Sequence, residues 1–168
     1  SEALRAPIYL HVAGPQGTPK SYEGRPELTG AMWSYVVETA THALRIILSG
    51  MFDAYPKATL ILGHLGEGLP YFLGRLDEGY AMAVKSTKLK KTPSEYAKDN
   101  IAITTSGKYK PEALLCAINA MGADRILFAA DYPYVNMKEA VGFLENSPIS
   151  DSDKEKIYHL NAERLLKL

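Results

Sequence analysis

The chain has 168 residues, 46% of them hydrophobic, the size and composition of one globular domain able to bury a core. Its 19 basic residues balance 19 acidic ones, and no run of Lys or Arg is long enough to track phosphates, so nucleic acid is not expected as a partner. No apolar stretch approaches the roughly 20 residues a bilayer span needs, and a cytoplasmic protein is expected, with the single cysteine, Cys116, as a reduced core thiol.

In chain order, strands and helices alternate, and the strands are short and apolar without polar alternation, as in a parallel sheet covered on both faces. The first predicted strand is Pro7 to Leu10, ending at His11, and it opens into a Gly/Pro-rich loop from Ala13 to about Gly30. A helix follows from about Met32 to Ser49. Its expected buried face is Trp33, Val36, Val37, Ala40, Leu44, Ile47 and Leu48, with Gly50 as its stop. The second strand, Ala58 to Leu62, runs into Gly63-His64-Leu65-Gly66-Glu67-Gly68 and then a helix carrying Leu69, Phe72, Leu73, Leu76 and Tyr80.

A basic connection over 86–91 precedes a short helix, Pro93 to Lys98, and the third strand, Ile101 to Thr104. The next helix starts at Pro111 and ends before Gly122. The fourth strand, Arg125 to Ala130, ends at Asp131, where Tyr132-Pro133-Tyr134 turns the chain. A helix near Met137 to Leu144 comes next, followed by two closing helices. Ser152-Asp153-Lys154-Glu155 reads as a capping box for the first of these, and Asn161 as a cap for the second, over Ala162 to Leu168.

This alternation is α/β. A doubly wound sheet would place a glycine-rich phosphate loop after its first strand, which Val12 to Gly17 does not resemble. The other arrangement is a (β/α)8 barrel, which takes about 250 residues, so four units would make half of one. Such a half exposes two sheet edges and an apolar interior, and requires a partner.

The carboxyl ends of the strands form the functional face of such folds. Three of the four predicted strands end in an ionisable group: His11, His64 and Asp131. Imidazole nitrogen and carboxylate oxygen suit zinc or a similar divalent ion. Each has a plainer reading, His11 as a histidine bonded to a nearby carbonyl and Asp131 as a turn residue. Glu67 either orients His64 for proton transfer or caps the following helix. Arg75 reads as a surface residue paired with Asp77 or Glu78, and His42 and His159 lie far from any strand end.

The runs Pro7-Ile8-Tyr9-Leu10-His11, Gly63-His64-Leu65-Gly66-Glu67-Gly68-Leu69-Pro70 and Ala130-Asp131-Tyr132-Pro133 together resemble the amidohydrolase-related decarboxylases. So does Glu38-Thr39-Ala40, with His42 and Arg45, between the histidines. That family includes the aminocarboxymuconate semialdehyde, γ-resorcylate, 2,3-dihydroxybenzoate and 5-carboxyvanillate decarboxylases. The resemblance implies a TIM-type barrel in which residues 1–168 are the C-terminal half of the domain and supply the fifth to eighth strands. It implies His11 and Asp131 as ligands of one divalent metal, zinc first and manganese second. His64 and Glu67 become catalytic, with Asp131 as proton donor. Arg75 would bind substrate across the interface of a homodimer.

The implied reaction is non-oxidative decarboxylation of a hydroxylated benzoate, a small aromatic carboxylate. The family's Glu-x-His or His-x-His ligand pair does not occur before His11, so the metal site is half present and a second copy or an N-terminal half would have to complete it. Two other readings stand beside this one: a metal-dependent hydrolase of a lactone, ester or amide on the same scaffold, and a noncatalytic half barrel.

Overall fold

The structure is a computed structural model that describes residues 1–83 and 89–168. The predicted connection over 86–91 therefore lies partly outside the described residues. Its last part is held firmly, since the Lys90 N–H donates to Asp53 and to the Tyr96 hydroxyl and the Lys91 ammonium pairs with Asp99 at 2.7 Å.

Strands β1 (Ile8–Leu10), β2 (Leu60–Leu62), β3 (Ile101–Thr104) and β4 (Ile126–Leu127) form one parallel sheet in the order β1-β2-β3-β4. Ile8 stands opposite Leu60, Leu60 opposite Ile101, and Ile103 opposite Ile126. A doubly wound sheet reverses its strand order at a switch point. Here sequence order and spatial order coincide, as in consecutive βα units of a barrel.

Alternate strand residues face opposite ways. Leu60, Leu62, Ile101, Ile103 and Ile126 pack under the helices α1 (Ser34–Leu48), α3 (Leu69–Ala83), α4 (Pro93–Asn100) and α5 (Pro111–Met121). Each such buried Leu or Ile contributes roughly 1.5–3 kcal/mol. Ile61, Ala102 and Leu127 face the other way, against Ala162 and Leu165 near the C-terminus.

The buried row of α1 is rotated from the predicted face. Thr39, Ala43 and Ile47 are buried, whereas Trp33 and Leu48 are half exposed. The i, i+4 row containing small Ala43 turns to the core, while Trp33 is only the helix's cap residue. Gly50 ends α1 as expected, with φ 76°, and a further turn, α2 (Met51–Ala54), follows. Phe72 on α3 is likewise exposed and stacks edge-on against Tyr71. Cys116 is a free thiol but only half-buried, because α5 buries Leu114, Ala117 and Met121 instead.

The fourth strand is shorter than the predicted Arg125 to Ala130, because its backbone finds partners outside the ladder. The Phe128 N–H donates to the Ile157 carbonyl at 2.9 Å, and the Thr105 side chain bonds both the N–H and the carbonyl of Ala129. Beyond it, α6 (Met137–Glu145) is capped by Asn136.

The two closing helices are one continuous run: α7 (Asp151–Glu155), a π-helical turn over Lys156–Leu160, and α8 (Asn161–Leu166). The cap is Ser150, not Ser152, and its hydroxyl accepts the Asp153 N–H. The wider turn sits where the Ile157 carbonyl is taken up by Phe128. Asn161 is not a cap either. It is buried and donates to the Ala123 and Ile126 carbonyls, each at 2.8 Å, stitching the helix to β4.

Asn161→Ala is expected to lower unfolding stability by about 2–4 kcal/mol, since two buried carbonyls lose their donor. Urea titration measures this, and a loss below about 1 kcal/mol would discount the stitch.

Candidate metal and catalytic site

The sheet register brings the strand ends to one wall. His11, His64, Glu67 and Asp131 line a cavity of about 460 Å³, together with Tyr35, Gly107, Lys108 and Tyr134. His11 is exposed and its Nδ1 lies 3.1 Å from the Val12 carbonyl oxygen. With Nδ1 donating to that carbonyl, Nε2 keeps its lone pair, as it does in metal-binding histidines.

His64 is held at three points. Ser106 Oγ accepts its backbone N–H at 3.1 Å, its Nδ1 bonds Glu67 Oε1, and its Nε2 lies 3.6 Å from Asp131 Oδ2. The Glu67 side chain is buried and its carboxylate is bonded to the imidazole. The bond to Glu67 raises the His64 pKa above its ordinary value of 6.5. Burial opposes the shift, the charges of Glu67 and Asp131 add to it, and Lys108 works against it.

Asp131 makes its turn through the backbone. Its backbone carbonyl, not its carboxylate, accepts the Tyr134 and Val135 N–H groups that form the turn. The carboxylate takes no part in that turn and lies beside His64 Nε2.

The backbone at these residues is strained. His64, Leu65, Glu67 and Asp131 all adopt positive φ, between 50° and 67°. Each such residue costs on the order of 1–3 kcal/mol, and strain of this kind gathers at functional sites. Gly66 makes the tight loop possible: at φ 75° a Cβ there would sit 2.9 Å from Ile103 Cγ2. Buried Leu65 and Leu69 anchor the loop on either side.

Residues after β3 were missed in the sequence, because that strand ends in Thr104 and not in an ionisable group. The strand-end rule applied there as well would have found them. The Thr104 and Ser106 hydroxyls are 2.8 Å apart and buried, and Ser106 holds the His64 backbone. Gly107, at φ 64°, leaves room beside the site. A Cβ there would stand 3.1 Å from His64 Cδ2 and 3.2 Å from Asp131 Oδ2. Gly107→Ala is therefore expected to displace both groups, read as a shift of the His64 ring resonances in an NMR spectrum; unmoved resonances would show that the space is idle.

Arg75 lies on the surface of α3, 3.9 Å from Glu78, and does not line the cavity of its own chain. His42 is exposed on α1 and His159 pairs with Glu163, both away from the cavity, as expected. His11 and Asp131 fit a divalent ion in donor type. Among the described residues no group of three or more His, Cys, Asp or Glu could hold one, so further ligands would have to come from elsewhere. No helix among the described residues is long and apolar enough to cross a membrane.

The chain is similar to the γ-resorcylate decarboxylase of Polaromonas sp. (strain JS666), with 42% identity over 99% of this chain and 52% of the relative. A crystal structure of 2,6-dihydroxybenzoate decarboxylase complexed with 2,6-dihydroxybenzoate superposes with a TM-score of 0.94 at 41% identity, over 99% of this chain and 52% of that one. A dihydroxybenzoic acid decarboxylase from Polaromonas sp. JS666, with bound manganese and the inhibitor 2-nitroresorcinol, gives 0.94 at 42% identity, over 99% and 51%. This chain thus spans about half the length of the relatives it matches. The amidohydrolase family pattern matches residues 2–168, and the chain belongs to that family.

Proposed function

We propose that this chain provides the C-terminal half of the barrel domain of a metal-dependent decarboxylase acting on a hydroxylated benzoate. The observation that carries this reading is His64, fixed between Glu67 and Asp131 on a cavity that His11 also lines. Relatives that act on or bind dihydroxybenzoates support it.

In the proposed reaction Asp131 delivers a proton to the ring carbon bearing the carboxylate. The carbon–carbon bond then breaks, its electron pair returns to the ring, and carbon dioxide leaves. No oxidant is required. His64, oriented by Glu67, stabilises the substrate's phenol oxygen and relays the replacement proton. A divalent ion bound to His11, Asp131 and ligands from outside these residues would supply Lewis acidity and orientation. Zinc suits the donor pair, as does manganese, the ion in the Polaromonas relative. In this reading the protein is a cytoplasmic homodimer, and Arg75 crosses to the neighbouring subunit's cavity.

The test combines metal analysis with carbon dioxide release from 2,6-dihydroxybenzoate. Metal-dependent release supports the proposal. A metal-loaded protein that releases none, yet hydrolyses lactones or esters, would replace it with the hydrolase reading.

A further inference from the structure

The cavity wall carries a cation that neither the ligand pair nor the proton path uses. Lys108 lines the cavity, half-buried, and is the one Lys or Arg among its described lining residues. It forms no salt bridge among the described residues, unlike Lys91, Lys154 and Lys156. Its backbone is fixed, since its N–H donates to the Thr105 carbonyl at 3.2 Å just after the left-handed turn at Gly107. Its charge is felt at His64.

The carboxylates in the cavity are otherwise engaged. Glu67 is bonded to His64, and Asp131 lies beside His64 Nε2. A lysine on a cavity wall with no carboxylate partner of its own offers its ammonium to an incoming anion. Arg75 cannot serve within the same chain, because it does not line this cavity.

We propose that Lys108 recognises the carboxylate of the aromatic substrate and so separates the acid from the neutral ring left after carbon dioxide departs. This rests on the decarboxylase reading above. It goes further by assigning anion recognition to a residue of the β3 loop, and it gives product release a cause, because the neutral ring no longer holds the lysine.

The experiment measures equilibrium binding, by calorimetric titration of the metal-loaded protein, of 2,6-dihydroxybenzoate and of its neutral counterpart, benzene-1,3-diol. Lys108→Met is expected to weaken binding of the acid roughly tenfold, the loss of one charge-assisted contact. Binding of the diol should change less than about twofold, and Lys108→Arg should retain affinity for the acid. Raising the salt concentration should weaken acid binding in the unsubstituted protein and much less in Lys108→Met.

Equal acid affinity in Lys108→Met and the unsubstituted protein would overturn the proposal. So would a parallel loss of both ligands. In either case, carbon dioxide release by the unsubstituted protein would leave the decarboxylase reading standing. An unsubstituted protein that neither binds nor decarboxylates the acid would remove that reading, and this inference with it.

Discussion

In the proposed reaction, His64→Asn is expected to lower kcat by about 10²–10⁴-fold, the usual worth of a positioned acid–base group. KM should change far less, because His11, Asp131 and Lys108 still line the cavity. Steady-state kinetics beside a circular dichroism spectrum separates this from misfolding. A variant keeping a third of the activity would exclude His64 from the chemistry.

Glu67→Gln tests the same unit through its titration. Glu67 raises the His64 pKa chiefly through their hydrogen bond, so the folded chain holds a proton that the unfolded chain releases near 6.5. The stability this contributes is complete below about pH 6.5 and is lost as pH rises through the raised value. In the metal-free chain, an NMR titration should show the His64 ring deprotonating at lower pH in Glu67→Gln. The stability gap between the two proteins should narrow on the alkaline side. A His64 titration unmoved by the substitution would mean that Glu67 serves only the loop.

The second large effect is expected at Asp131, which in the proposed reaction both holds metal and delivers the proton. Asp131→Ala should abolish measurable turnover, a loss of about 10³-fold or more. It should also reduce bound metal at limiting concentration, as read by elemental analysis. His11→Ala should reduce metal but leave the proton donor in place, so adding excess metal should restore part of its activity and none of that of Asp131→Ala. Equal rescue of both would assign Asp131 to metal binding alone.

The strand–helix alternation, the third strand and the helix starting at Pro111 were legible because they rest on local signals: apolar runs, first-turn proline and terminal glycine. The placement of His11 directly after its strand was legible for the same reason, whereas Asp131 lies beyond the end of β4 at Leu127. Lys108 and Ser106 were not, since their importance comes from what the neighbouring strands bring beside them.

The closing helices show the opposite limit. Ser152 and Asn161 both carry the chemistry of a cap, and local rules cannot tell a cap from a buried amide that bonds carbonyls 35 and 38 residues away.

By itself, then, the sequence determined the α/β class, the order of the units and the residue types waiting at the strand ends, because periodicity and turn chemistry act over a few residues. Only the tertiary structure decided that the Asp131 carboxylate lies beside His64 while its carbonyl makes the turn. It also decided that Glu67 is buried against His64 and that the fourth strand stops at Leu127. Each of these depends on where a hydrogen-bonding group finds its partner, and the partner is set by the packing of distant segments.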